Sequence, residues 1–598
     1  MERDDMGAIF GVMGNSDTSD VEKLSERLEH RGDTCKIWSV SDKVRWGVRF
    51  FNKPNQEYGL PSEPVLFDGF LDNRADLAHM VMGDKKPSIS DADLIFRLYE
   101  KYGPEGLQYI SGQFSVAIWD DKRSTLILSC DSWTSRPIYY TYNDGRYIFA
   151  SEYKSLLAID SVPALIDREA IQYIQCTKYV MPERCCIADV DVLTGGTWVE
   201  LSDRDKKKFR YQNINLRIGK ESDGELAESI RNCFIRSVRN QAEPFPEIGV
   251  SLSSGLDSTL LIAAVRKNFP ERPLHAFTAG FSQDDAVFED AGRVASIFNA
   301  QHHKIILSPG DLPELIPKAL WHMEDPVGRE EKLYYFAIAQ AAAKYVPLLL
   351  AGHNADALFG GMPRHVVVNL VNRVPFLKTP LEEFYHFTQL GQPPKTLFGK
   401  ALTTAYFRGT QTLPPAVIGA GEMPSGGSIV RNARHPLSEF LREVQLYASN
   451  ANLTIEKIHA AHQVVFNSPF LDTDMVRTSF KIPDRLKIFG MKQKYILRRA
   501  FRGDMSAEMV GRKKGLLRLK HGKEFCDVIQ GMTRKYLSAA DVRKRNLFTP
   551  EYVVNICRRP KNGLYSTEQI YRIWSILLVE IWARIFIDAR GGSGYQAQ

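Results

Sequence analysis

The segment Ile248-Gly249-Val250-Ser251-Leu252, followed by Ser253-Ser254-Gly255-Leu256-Asp257-Ser258-Thr259 and then the run Leu260 to Asn268, restricts the chain to few architectures. An apolar strand with little alternation is a strand buried on both faces, which belongs to a parallel sheet covered by helices. The pattern returns at Leu274-His275-Ala276-Phe277-Thr278-Ala279 and at Val346-Pro347-Leu348-Leu349-Leu350-Ala351, with helical stretches between. This β-α-β rhythm predicts an α/β fold with a doubly wound parallel sheet after about residue 220.

The turn after Leu252 is built for an anion. Small residues let the backbone approach closely, and the new helix aims its unpaired N–H groups at whatever sits there. Leu252, Ser253, Ser254, Gly255, Ser258 and Thr259 form the candidate phosphate cradle. Asp257 would repel a bare phosphate and makes sense with Mg²⁺ between them. A plain capped helix accounts for the same loop taken alone. A second strand-to-loop turn, Gly352-His353-Asn354-Ala355-Asp356, supplies another carboxylate at the same sheet edge. Asp257 and Asp356 are therefore the candidate metal ligands of a Mg²⁺–pyrophosphate site.

The first 210 residues read differently. Phe114 to Trp119 alternates, Thr125 to Cys130 and Ile138 to Tyr142 follow at hairpin spacing, and helical stretches such as Asp93 to Lys101 intervene. This is the pattern of a layered, strand-rich domain over 1–210, with Asp203 to Arg210 as a charged linker to a second unit over 211–598. Residues 371–436 hold eight prolines and read as an insertion or lid. The run Ile573 to Ile587 is broken by Glu580 and Arg584 and reads as a buried helix, not a membrane span. Eight scattered cysteines, with no signal-peptide pattern, suggest reduced thiols and a cytoplasmic protein.

The net charge of +6 hides an asymmetry. Residues 1–210 carry 27 basic and 34 acidic groups, whereas 481–560 carry 21 and 7. A basic segment of this kind suits an anionic partner. It lacks interleaved aromatic platforms, which argues for nucleotide and against nucleic acid.

The two loops resemble the ATP-pyrophosphatase signature of the asparagine synthetase superfamily, usually Ser-Gly-Gly-x-Asp-Ser, with Ser254 in place of the first glycine. Phe67 to Leu77, Asp131 to Tyr140 and Phe149 to Lys154 resemble the family's glutaminase-type N-terminal domain, an Ntn-type αββα sandwich. Ser468 to Asp472, Lys494 to Arg498 and Gly511 to Lys514 resemble its C-terminal segments. In glutamine-using members, a cysteine after the initiator Met is the nucleophile. Here the matching stretch is Met6-Gly7-Ala8-Ile9-Phe10-Gly11, and the first cysteine, Cys35, follows the motif-like His30-Arg31-Gly32-Asp33. Without a thiolate or hydroxyl there is no covalent glutaminase step, so the resemblance implies an inactive amidotransferase-like domain and an amine supplied by the substrate.

Two groups within the superfamily fit: β-lactam synthetases and lasso peptide cyclases, with an ammonia-dependent asparagine synthetase as a further alternative. His353 is similar to the second position of the cyclase loop, whereas Asn354-Ala355 departs from its Gly-Gly. The resemblance implies ATP and Mg²⁺ as cofactors and a precursor core peptide as substrate. It also implies a leader peptidase and a leader-binding protein as partners. An Asp or Glu side chain of the peptide would be adenylated, and the peptide's N-terminal amine would close a macrolactam. His353 is a candidate base, or a loop histidine bonded to backbone. Lys514, placed by the family's Arg-x-Lys segment, would stabilise developing negative charge, or belong to a solvated basic run. Lys494 and Arg498, at i and i+4 on a predicted helix, would line a surface helix or, as a second choice, meet pyrophosphate, and Thr278 would meet adenine. Two readings from other classes are a nucleic-acid binder using 481–560 and a non-catalytic scaffold.

Overall fold

The computed structural model describes residues 7–15, 17–51, 64–83, 89–177, 180–181, 183–203, 205–211, 216–253, 255–327, 331–371, 383, 396–397, 435–511, 522–560 and 562–592. Most of 371–436, the expected insertion, lies outside them.

The chain begins with two antiparallel sheets. One runs in the order β2-β3-β1-β8-β7-β9, from β1 (Gly7–Met13), β2 (Thr34–Ser39), β3 (Val44–Phe50), β7 (Tyr139–Asn143), β8 (Arg146–Ala150) and β9 (Asp191–Val192). The other runs β11-β10-β6-β5-β4, from β4 (Val65–Leu71), β5 (Gly112–Asp120), β6 (Thr125–Cys130), β10 (Thr197–Leu201) and β11 (Lys206–Arg210). Alternation sends one face of each strand inward, so Ile9, Trp46, Val48 and Phe149 meet Ala117, Trp119, Leu126 and Leu128 in one core. Helices cover the outer faces. Leu94, Ile95 and Leu98 pack on Phe114 and Val116. Val21 and Leu24 pack beside Phe10 and Val12. The result is the expected αββα layering. One expectation fails: Lys206–Arg210 is not a linker but an exposed edge strand paired with β10. Three consecutive lysines and no buried side chain hid it, and charge of this kind is how exposed edges resist further pairing.

The second unit is a parallel sheet in the order β14-β13-β12-β15-β16, from β12 (Ile248–Ser251), β13 (Leu274–Gly280), β14 (Gln301–Ile306), β15 (Leu348–Leu350) and β16 (Val465–Asn467). It is covered on both faces. Ile248, Val250 and Leu350 pack with the helices Asp223–Ala242 and Leu256–Asn268, while Phe277 and Leu349 pack with Leu312–Met323 and Glu331–Ala342. The strand order reverses between β12 and β15, which opens a crevice at their carboxyl ends. The helix Thr567–Ala583 is buried along Ile573, Trp574, Ile576, Leu577 and Trp582. No helix among the described residues is long and apolar enough to cross a membrane.

Candidate active site

The two predicted loops flank this crevice. After β12, the helix Leu256–Asn268 starts at Gly255 with no side chain capping its first turn, so its leading N–H groups face the crevice mouth. The loop hydroxyls shape the turn from within. Ser258 Oγ donates to the Ser253 carbonyl at 2.9 Å, and Thr259 Oγ1 donates to the Gly255 carbonyl at 2.9 Å. Ser253 Oγ lies 3.0 Å from Ser258 Oγ and accepts from Gly255 N at 3.2 Å. These bonds hold the backbone amides in place for an anion. Ser254 lies outside the described residues.

The two aspartates converge as expected, on a third residue. Lys494 Nζ lies 2.5 Å from Asp257 Oδ2 and 2.5 Å from Asp356 Oδ1. Burial pulls the Lys494 ammonium towards neutrality, but the two carboxylates outweigh it and the net shift is upward. Asp356 sits in the first turn of the short helix Ala355–Phe359. That helix is entered through Asn354 at φ 71°, where asparagine is tolerated. Asn354 Nδ2 also donates to Gln445 Oε1 at 2.8 Å, anchoring the loop to the helix Pro436–Ala460. Gly352 passes close beneath: a Cβ there would come within 2.8 Å of the Asp257 Cβ. A Cβ on Gly361 would collide with Asp356 Oδ1 and Lys494 Cε. Hard carboxylate oxygens converging on one cationic point are the donor set that suits Mg²⁺ beside a polyphosphate.

Lys494 was expected inside a helix. It instead caps the helix Tyr495–Ala500 from the left-handed region, at φ 53°. That strained cap turns its side chain towards the aspartates. Arg498 stays one turn on, its backbone N–H bonded to the Lys494 carbonyl at 3.1 Å. Its guanidinium donates to the carbonyls of Gln493 and Val510, so it ties down the backbone leading to Gly511. Lys514 lies outside the described residues. Thr278 is buried on β13. Its hydroxyl donates to the Leu252 carbonyl at 2.8 Å and lies 3.0 Å from His302 Nε2, bracing the strand from which the phosphate loop springs.

His353 lies at the edge of the site with its ring 6.1 Å from Tyr335 and 6.4 Å from Phe466. Its carbonyl accepts from Ser468 Oγ at 2.8 Å, so the Ser468-Pro469 segment fixes the loop's height.

In the first unit, Gly7 opens β1. A Cβ on Gly7 would stand 2.5 Å from the Arg49 carbonyl oxygen and 3.6 Å from Asp68 Oδ1. The backbone closes over the spot where a nucleophilic side chain would project. Beneath it lies a buried charge network. Arg31 donates to Glu456 at 2.8 and 2.7 Å and to Glu152 at 2.5 Å, and Arg136 donates to Glu456 at 3.0 Å. Lys457 bonds Glu324 at 2.5 Å and the Tyr139 hydroxyl at 2.6 Å. Glu324 ends its helix in the left-handed region. Glu456 and Lys457 lie upstream of the Pro469 segment, where sequence does not align the family's second acid and a Glu-Lys pair on a long helix looks like surface. Only tertiary placement makes them the struts between the two units.

The asparagine synthase family profile matches residues 229–584, and a glutamine amidotransferase domain profile matches residues 6–212. An asparagine synthetase [glutamine-hydrolyzing] 1 of Bacillus subtilis is 23% identical, covering 97% of this chain and 96% of that protein. A putative asparagine synthetase [glutamine-hydrolyzing] of Mycobacterium tuberculosis is 24% identical, over 97% and 95%.

Proposed function

The chain belongs to the asparagine synthase family, ATP-dependent amide-forming enzymes, and from that premise we propose that it closes a macrolactam within a peptide, as lasso peptide cyclases do. The observation that carries this reading is the pairing of a complete Asp257–Lys494–Asp356 cluster with a closed Gly7 corner. The protein keeps the means to activate a carboxylate and lacks the means to release ammonia from glutamine. The amine then comes with the substrate.

The triphosphate of ATP lies against the 253–259 turn, with Asp257 and Asp356 as the ligands that would hold Mg²⁺. When bound, the ion neutralises phosphate charge. The Lys494 ammonium moves from the two carboxylates onto the departing pyrophosphate. The peptide's Asp or Glu carboxylate attacks the α-phosphorus, forming an acyl-adenylate as the bond to pyrophosphate breaks. The peptide's N-terminal amine attacks the acyl carbon, and AMP leaves with the electron pair of the C–O bond. His353 accepts the proton the amine gives up. Lys514 stabilises negative charge on the tetrahedral oxygen. A core peptide released by a leader peptidase, with a leader-binding protein to present it, supplies the substrate.

Pyrophosphate release tests this reading. It is expected with ATP, Mg²⁺ and a core peptide bearing a free N-terminus and an internal acid, and absent with aspartate and ammonia. Asparagine formed from aspartate and ammonia would refute it in favour of an ammonia-dependent synthetase. Release with a small β-amino acid substrate would favour a β-lactam-type synthetase.

A further inference from the structure

Five histidines lie in a file, of which the steps above use only the first. His353 and His459 share aromatic neighbours: Tyr335 lies 6.1 and 6.5 Å from their rings, and Phe466 lies 6.4 and 4.4 Å away. His462 follows one turn after His459, its backbone N–H bonded to the His459 carbonyl at 3.0 Å. Its ring is 6.3 Å from that of His322, and His322 is 5.2 Å from His30. His30 Nε2 meets the Glu152 carboxylate at 3.1 Å and keeps 10% side-chain exposure. The file thus runs from the candidate active site to the buried Arg31–Glu152 network between the two units, where His30 is slightly exposed.

Its nitrogens are conspicuously unused. Both ring nitrogens of His322, and Nε2 of His459 and of His462, are buried with no hydrogen-bond partner among the described residues, as is Nδ1 of His30. His459 is fully buried and His322 is 3% exposed. Orphaned buried polar atoms are costly, and internal waters are the ordinary remedy. Burial also keeps these rings neutral, with His30 and His462 lowered to about 4 and His459 to about 3. A neutral imidazole has one donor and one acceptor nitrogen, so it can take a proton on one side and give one up on the other.

We propose that His459, His462, His322 and His30 line a file of internal waters that carries the proton released in amide formation from His353 to His30, whose side chain keeps 10% exposure at the interface between the two units. The origin of the proton rests on the amide-forming reading; the water file does not. As the C–N bond forms and AMP departs, the surplus proton of the amine passes to His353. It then moves along the waters as each bridging imidazole exchanges one proton for another. Glu152, which His30 meets, is itself buried and bonded by Lys154 and Arg31.

A crystal structure of the full chain tests the file directly. Ordered waters are expected within about 3.2 Å of both His322 nitrogens and of His459 and His462 Nε2; dry nitrogens there would overturn the proposal. With a core peptide that supports turnover, His322→Phe is expected to slow cyclisation about tenfold and to leave pyrophosphate–ATP exchange unchanged. Added imidazole buffer should restore the rate, and His322→Asn should stay near wild type. Equal loss of exchange and cyclisation, or no loss of either, would overturn the relay. If no peptide turns over, the substrate reading fails and the waters still decide the file.

Discussion

Lys494 is the residue on which the site turns. It stands between two carboxylates that would otherwise repel each other across the crevice. Lys494→Met removes that cation and is expected to lower pyrophosphate–ATP exchange by roughly 100-fold; exchange within threefold of wild type would contradict its role. Gly361→Ala acts on the same point by steric means, since its Cβ would collide with Asp356 and Lys494. It should lose exchange to a similar degree while the thermal midpoint falls only modestly, as calorimetry would show. Asp257 and Asp356 were legible because strand, small-residue loop and aspartate are local patterns. The orientation of Lys494 was not, because a left-handed cap depends on the short hairpin before it, Ile488–Phe489 paired with Lys492–Gln493. Thr278 shows the opposite case: its position was legible, but its hydroxyl is already bonded to Leu252 and His302.

Among the elements, the helix Pro436–Ala460 does most to join the protein. It holds Asn354 through Gln445, places Glu456 between Arg31 and Arg136, and sets Lys457 on Glu324. Glu456→Ala leaves two buried guanidinium groups short of their carboxylate. It should cost about 3–5 kcal/mol in denaturant unfolding, whereas Glu456→Gln should cost less. A loss below 1 kcal/mol would show that the network is not a strut. The same region sets an acid limit. His30, His459 and His462 are depressed below their usual 6.5, chiefly by burial. A depressed base adds stability that is complete above pH 6.5 and is lost as pH falls towards 4 and 3. Asp131 and Asp325 are raised to about 6, again by burial. Their contribution has the other sign, complete below 3.8 and lost as pH rises through 6. Three histidines against two aspartates give a net loss on acidification, steepest near pH 6, where the unfolded chain's histidines already take protons and the aspartates' opposing gain is only half developed. His459→Phe should flatten that limb in melting curves taken from pH 7 to 3.5; an unchanged limb would contradict the assignment. Sequence could show that these histidines exist, but a helix end and a domain interface are what bury them.

For the whole molecule, composition hinted at two units of opposite charge, and their layering was readable from strand spacing. What the basic segment does was less readable. Arg485 pairs with Asp223, Arg545 with Glu580 and Asp588, and Arg559 with Asp527. Among the described residues these arginines therefore hold helices together, while Lys494 pairs with Asp257 and Asp356. On the proposed reading, ATP activates a carboxylate of the same molecule that supplies the amine. Labelling a core peptide's side-chain carboxylate with ¹⁸O tests this most directly. One ¹⁸O should appear in AMP for each macrolactam formed. Label retained entirely in the peptide, or found in inorganic phosphate beside ADP, would contradict it.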